Sequence, residues 1–293
     1  MDQRIIDLYD RFTHGQIGRR EFMDRLATLA GSVAAATAML PLLTNDYARA
    51  AIVEENDPRL DISTASFEVA DTDVSGYLAR PKRVDAKRPA VLVVHENRGL
   101  NPHIKDVTRR FALAGYLAFG VDLLSPDGGT PEDEDKAREM IAALDQPATV
   151  ARAVEAVRFL AAHPASTGNV GAVGFCWGGG LVNLLAEASP ELKAGVAYYG
   201  IQPPLDRVVD IKAALLLHYA GLDNRINEGI AAYEEALEQA GKDYTVYMYE
   251  GANHAFNNDA NPTRYDPEAA ELAWTRTSAF LARHLGAPPP VET

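Results

Sequence analysis

The chain holds a single cysteine, and it stands in a stretch built to expose it. Gly174-Phe175-Cys176-Trp177-Gly178 follows the small or β-branched run Val170-Gly171-Ala172-Val173 and precedes an apolar helical run over 181–188. The order reads as strand, sharp turn and helix, with a nucleophile at the apex and glycine two positions to either side. A nucleophile at so tight a turn sits in a strained backbone conformation, and flanking side chains would collide with strand and helix. The turn also sets Cys176 at a helix N-terminus, where the partial positive charge favours the thiolate. The backbone N–H of Trp177 then points at an oxyanion formed beside the sulfur. Two other readings share the pattern: a phosphate-cradling loop, and a buried cysteine packed in a βα turn. No Lys-Ser/Thr follows the glycines and the acidic balance of the chain repels a nucleotide, which argues against the first.

A thiol nucleophile needs a base, and the base needs an orienting acid. The later part of the chain offers one candidate for each. Asp223 lies just beyond an apolar strand predicted over 213–219, and His254 just beyond a strand predicted over 244–249. Small residues bracket both, as in loops that turn sharply and project one side chain inward. Cys176 would be the nucleophile, His254 the general base and then acid, and Asp223 the group that fixes the imidazole tautomer and stabilises its charge. Taken singly, Asp223 reads equally as a helix cap and His254 as a satisfied loop histidine. His14, His103, His163 and His284 read as exposed helix or terminal positions, and His218, inside a strand, as a packed residue. Trp177, Tyr198, Tyr199 and Phe256 are candidates for lining an acyl pocket, with core packing as the alternative; Phe175 reads as core.

The elements that must position these groups alternate. Polar–apolar alternation over 63–70 and 74–79, around Asp71-Thr72-Asp73, predicts an antiparallel hairpin. Strands over 90–94, 117–121, 170–175, 194–199, 213–219 and 244–249 are then separated by helices over 104–113, 131–144, 148–162, 181–188, 226–240 and 267–285. The pattern predicts an α/β fold: a mostly parallel central sheet with helices on both faces. The catalytic domain spans 63–286, after a polar linker over 51–62 and before a Pro-rich tail over 287–293.

With 293 residues, 47% hydrophobic and 24% charged, the chain has the balance of a soluble globular protein with a substantial core. Its net charge of −13 argues against nucleic acid or an anionic membrane surface as partner. One cysteine excludes an intramolecular disulfide and a Cys-based zinc cluster. The histidines are scattered, so neither a metal nor another cofactor is expected. No uninterrupted apolar run has transmembrane length, and no stable membrane association is expected.

Residues 1–50 form an N-terminal extension with its own character. Helical apolar spacing over 1–12 is followed by Arg19-Arg20-Glu21-Phe22-Met23, a weakly apolar Ala-rich run over 26–43, and Ala48-Arg49-Ala50. Paired Arg, Phe two residues on and an Ala-x-Ala site resemble a twin-arginine export signal, which would make the protein periplasmic. Met23, Asp24 and Arg25 depart from that pattern. The alternative is a pair of amphipathic helices packed on the catalytic domain of a cytoplasmic protein.

Four places together resemble the dienelactone hydrolase family of the α/β-hydrolase superfamily, over about residues 67–285. They are His95-Glu96-Asn97-Arg98-Gly99, Gly174-Phe175-Cys176-Trp177-Gly178-Gly179, Gly221-Leu222-Asp223 and Asn253-His254-Ala255-Phe256. The resemblance implies an α/β-hydrolase fold and cofactor-independent hydrolysis of small esters or lactones through an acyl-thioenzyme. It implies that Glu96 holds the resting thiol and swings away when substrate binds, and that the Asn97 N–H joins that of Trp177 in the oxyanion hole. On residue chemistry alone Glu96 is equally a solvated loop acid. Family members acting on dienelactone carry arginines that clamp the substrate carboxylate. Asn258 stands at one such position and Leu123-Leu124-Ser125-Pro126-Asp127 has none at the other; Arg98 is the remaining candidate, and reads equally as solvated or paired with an acid. Two rivals stay open: a thiol hydrolase of other activated acyl or phosphoryl esters, and a non-catalytic binding module or redox sensor, although a sensor would want a resolving thiol.

Overall fold

The computed structural model describes residues 1–47, 51–82 and 86–291. The N-terminal extension contributes α1 (Gln3–Thr13), α2 (Arg19–Ala30) and α3 (Val33–Leu43). The apolar run predicted over 26–43 is broken because Gly31 takes a left-handed conformation (φ 84°) and Ser32 caps α3, accepting from the Ala35 N–H at 3.1 Å. Ile5, Leu8, Tyr9, Ile17, Phe22, Leu26, Ala36 and Leu43 form a small core shared by the three helices. Arg19 and Arg20 open α2, whereas Ala48-Arg49-Ala50 lies outside the described residues. Among the described residues no single helix is long and apolar enough to cross a membrane.

The hairpin joins β1 (Leu60–Val69) to β2 (Thr72–Pro81), closed by Ala70 and Asp71, both at positive φ, as a two-residue turn of the type that matches strand twist. Strand β1 thus begins inside the segment predicted as linker. Next come β3 (Arg88–Val94), α4 (Pro102–Leu113), β4 (Leu117–Asp122), α5 (Glu134–Ala142), α6 (Gln146–Ala162) and β5 (Ser166–Phe175). The chain continues through α7 (Trp177–Ala188), β6 (Ala194–Tyr198), β7 (Ala214–Ala220), α8 (Asn224–Asn227), α9 (Ile230–Gln239), β8 (Tyr244–Tyr249) and α10 (Pro267–Leu285). The helix predicted over 226–240 is two helices, separated at Glu228 and Gly229.

Eight strands form one sheet in the order β1-β2-β4-β3-β5-β6-β7-β8, antiparallel at the hairpin and at β2–β4 and parallel from β4 through β8. Both faces are covered, which is why the inner strands read as continuous apolar runs. Along β3, Ala90, Leu92 and Val94 pack with α6 and α7 on one face, while Val91 and Val93 pack with α4 and α10 on the other. Each such Val or Leu, fully withdrawn from water, contributes about 1.5–3 kcal/mol. The carboxyl ends of β3, β5, β7 and β8 lie at one edge of this sheet, where ligands of open α/β sheets bind.

Candidate active site

The turn after β5 is as sharp as its glycines foretell. Cys176 takes φ 55° and ψ −115°, a region that costs a side-chain-bearing residue of order 1–3 kcal/mol. A Cβ on Gly178 would stand 2.4 Å from the His95 carbonyl oxygen, and one on Gly174 would stand 2.1 Å from that of Gly178. Glycine is the only residue that lets strand β3, the turn and α7 approach this closely. The strain is held by flanking bonds: the Cys176 N–H donates to the Tyr198 carbonyl at 3.0 Å, and its own carbonyl accepts from Gly180 at 3.2 Å. The thiol is buried, with its sulfur on the wall of a cavity of about 540 Å³.

Asp223 and His254 sit on the loops after β7 and β8, and those loops are stitched together. The Gly221 N–H donates to the Tyr249 carbonyl at 2.8 Å and the Leu222 N–H to the Ala252 carbonyl at 3.0 Å. Across this seam His254 Nδ1 lies 2.5 Å from Asp223 Oδ2, both side chains buried. Asp223 also caps α8, accepting from the Ile226 N–H, so the capping and orienting readings hold together. Burial works against a charged His254, yet Asp223, the sulfur and Asp10 hold its imidazolium well above the ordinary histidine range.

A second imidazole faces the same sulfur. His14, at the end of α1, is largely buried and places Nε2 3.3 Å from Cys176 Sγ. Its Nδ1 donates to the Asp10 carbonyl oxygen at 2.8 Å, with the Asp10 carboxylate 3.3 Å away. The two imidazoles meet edge to face at 4.7 Å. The reading of His14 as exposed is therefore overturned: α1 docks over the loop ends, and its burial comes from contacts that no local pattern contains. His103 is likewise buried, paired with Asp259 at 3.0 Å. His218 is packed as predicted, between Tyr249 and Thr277. Burial pushes the Cys176 thiol up, but the charges of His254 and then His14 outweigh it and bring it down to about 5.

Glu96 is buried, and its Oε2 accepts from Asn258 Nδ2 at 2.8 Å. No hydrogen bond joins Glu96 to Cys176 among the described residues; in this arrangement the partner of the thiol is His14. Asn97 turns its side chain to the Thr13 carbonyl, donating at 2.8 Å, and so pins the end of α1. His95 stacks on the indole of Trp177 at 5.4 Å. Arg98 does not line the cavity: it is buried against Glu134 Oε2 at 2.9 Å and donates to the Tyr9 hydroxyl at 3.2 Å. Of the aromatic candidates, Trp177 and Tyr199 border the cavity. Tyr198, bonded to Thr277 at 2.7 Å, and Phe256 belong to the core, as Phe175 does.

Phe12, Thr13, His14 and Ile17 form one wall of the cavity, and α5 and Ile201 contribute to the rest. Arg225, within α8, lines it with Nε and Nη2 buried and without a partner among the described residues. The Tyr199 hydroxyl is likewise buried and unpaired there. The fold also gathers two of the scattered histidines at the thiol: side-chain atoms of His14, Cys176 and His254 lie within 4.8 Å of one another. Sequence reasoning missed Asp10, His14 and Arg225. A signal for the first two was there, because Asp10 and His14 are spaced i,i+4 and share one face of α1.

Comparison with known proteins covers nearly the whole chain. The model of the "Dienelactone hydrolase family" matches residues 74–285, and one described as "YqhI-like" matches residues 1–31. A "Putative carboxymethylenebutenolidase" of Escherichia coli O157:H7 is 32% identical over 80% of this chain and 92% of its own length. A "Probable 2-oxo-3-(5-oxofuran-2-ylidene)propanoate lactonase" of Bradyrhizobium sp is 34% identical over 71% of this chain and 89% of its own. The crystal structure of a "Putative Dienelactone Hydrolase" from Klebsiella pneumoniae superposes with a TM-score of 0.69 at 29% identity, covering 76% of this chain and 99% of that one.

Proposed function

The chain belongs to the dienelactone hydrolase family and is an ester or lactone hydrolase; we propose that it works through Cys176 as nucleophile, His254 as acid–base and Asp223 as the group that orients His254. The observation that carries this reading is the gathering of buried Asp223, His254 and Cys176 at the ends of β7, β8 and β5: His254 Nδ1 lies 2.5 Å from Asp223 Oδ2, and the same ring stands within 4.8 Å of the sulfur of the strained nucleophile.

At neutral pH such a site rests as thiolate and imidazolium. The Cys176 sulfur attacks the substrate carbonyl carbon, a C–S bond forms and the π pair moves onto the carbonyl oxygen. The backbone N–H groups of Trp177 and Asn97 are the donors proposed for that oxyanion. Collapse breaks the ester C–O bond, and the departing alkoxide takes the His254 proton. Neutral His254 then removes a proton from water, the hydroxide adds to the thioester, and collapse expels Cys176 as thiolate with release of the acid. In a lactone the alcohol stays tethered to the released acid. Glu96, bonded to Asn258 and not to Cys176, is given no step in this cycle, because the gating role that the family likeness suggests needs a resting thiol and not a thiolate.

The cavity fits a small acyl compound rather than a polymer. The likeness to an oxofuran lactonase points to small esters and lactones, and Arg225, the one of three cavity arginines with buried Nε and Nη2 unpartnered among the described residues, would favour a carboxylate-bearing one. The test is hydrolysis of short aryl esters and an enol lactone by the wild type, Cys176→Ala and Cys176→Ser. Loss in both variants of at least about 10³-fold is expected; Cys176→Ala with near wild-type turnover would overturn the reading.

A further inference from the structure

The reading above uses one imidazole, and two face the sulfur. His14 makes a hydrogen bond to it, its Nε2 lying 3.3 Å from Sγ; the ring of His254 also stands within 4.8 Å of the sulfur, with its Nε2 outside hydrogen-bond geometry. Because His14 Nδ1 donates to the Asp10 carbonyl, Nε2 is the atom left to meet the thiol proton. The helix that carries it is fixed by the catalytic domain at its end. Asn97 donates to the Thr13 carbonyl at 2.8 Å, Arg138 donates to the Phe12 carbonyl at 3.0 Å, and Gln3 donates to Asn253 at 2.5 Å. Those carbonyls are the ones a helix C-terminus leaves unpaired, so the docking satisfies α1 while it aims His14.

We propose that His14, carried by the N-terminal helix and held by Asp10, is a second catalytic imidazole that pairs with the Cys176 sulfur as thiolate in the resting enzyme and again when the sulfur is expelled from the acyl-thioenzyme. The proposal rests on Cys176 being the nucleophile. His14 holds its proton in the two states in which the sulfur is charged. It compensates the sulfur charge while His254 moves the proton between alcohol and water, and no step needs a co-reactant beyond water. Of the charged and titratable groups around His14, the Asp10 carboxylate and the Cys176 sulfur favour its charge, whereas protonated His254 and Arg264 oppose it, and Arg138 and Arg225 share its cavity. Asp10 comes from its own helix, with Arg264 from the loop before α10 3.7 Å from the Asp10 carboxylate. Cys176 comes from the elbow, and His254 from the loop after β8 with Asp223 behind it. Tyr199 comes from the end of β6, its hydroxyl kept protonated by burial and by the neighbouring Glu96 and Cys176. Burial opposes a charge on His14, but the sulfur and Asp10 overcome it and raise its affinity for the proton. The proposal also gives residues 1–18 a use in the finished enzyme, one that removal of an export signal would forfeit.

The test is the pH dependence of Cys176 alkylation by iodoacetamide in the full chain, for the wild type, His14→Gln and Asp10→Asn, each first shown folded by circular dichroism. The wild type is expected to react with a midpoint near 5. His14→Gln is expected to raise that midpoint by about 1–3 pH units, and Asp10→Asn to raise it less. An unchanged midpoint in folded His14→Gln would overturn the proposal. If that variant does not fold, NMR titration of the His14 ring in the wild type decides. Capping Cys176 as a mixed disulfide should lower the His14 pKa, and an unmoved value would overturn it. Wild-type alkylation that speeds up only when a chelator is added would overturn it too, by showing the three side chains holding a metal. Failure of the nucleophile reading has a separate signature, Cys176→Ala that still turns over.

Discussion

Two carboxylate–imidazole pairs converge on one sulfur, and they are built in different ways. Asp223 and His254 come from loops after adjacent parallel strands, joined by main-chain bonds and a 2.5 Å side-chain contact. Their geometry is set by the sheet, the most deeply buried part of the molecule. Asp10 and His14 lie one turn apart on a single helix, held more loosely by a carbonyl at 2.8 Å and a carboxylate at 3.3 Å. Their aim depends on how α1 docks. A site can thus draw an invariant geometry from its sheet and an adjustable charge from an appended helix. The first pair is suited to moving a proton at each turnover, the second to holding a charge.

The comparison breaks most visibly at His254. His254→Gln should lower kcat/KM by roughly 10²–10⁴-fold at every pH. Asp223→Asn should approach that loss, because the imidazole loses its tautomer and its charge partner. His14→Gln should instead be conditional. With the thiol raised from about 5, turnover at pH 6 should fall about tenfold and turnover at pH 8 should change little, since the thiolate is then formed without help. The sign follows from the chemistry: thiolate is lost as pH falls through the thiol pKa, so the acid limb of kcat/KM should lie near 5 in the wild type and move upward in the variant. A His14→Gln loss uniform across pH would erase the distinction between the two pairs.

Smaller effects sharpen the map of charge around the cavity. Arg225→Ala should weaken anionic esters by roughly 10–100-fold in kcat/KM, the worth of a charge-assisted hydrogen bond, and spare neutral ones. Equal losses on both would remove Arg225 from the substrate site. Arg98, the arginine that the sequence offers for this task, is tied to Glu134 and Tyr9. Arg98→Ala should cost about 1–3 kcal/mol of stability in denaturant unfolding and leave the preference between anionic and neutral substrates unchanged.

The same contrast explains what was legible in the sequence. The elbow is a local device: strand, apex and flanking glycines are contiguous, so Cys176 and its strain can be read from 170–180 alone. Asp223 and His254 are legible because strand ends of a parallel sheet share one edge, so order along the chain stands in for position. The apolar runs of β3 through β7 gave the sheet for the same reason. His14 has no such proxy. Its helix docks from outside the sheet, 162 residues from Cys176 in sequence, through polar contacts made by Asn97 and Arg138. For Arg98 the sequence leaves substrate binding, solvation and pairing with an acid open, because its acid partner, Glu134, lies on another element; the structure selects the pairing. The boundary at Leu60 was missed because the first residues of an edge strand carry a mixed polar pattern, like a linker.

The central claim is that the reaction passes through sulfur. Acid-quenching the full-length enzyme during turnover of a slowly deacylating aryl ester, followed by peptide mapping, tests it directly. The acyl mass is expected on the peptide containing Cys176 and nowhere else, formed and lost at rates competent for turnover. Acyl label on another side chain, or steady turnover with no acyl-thioenzyme at any quench time in an ester whose deacylation is limiting, would contradict it.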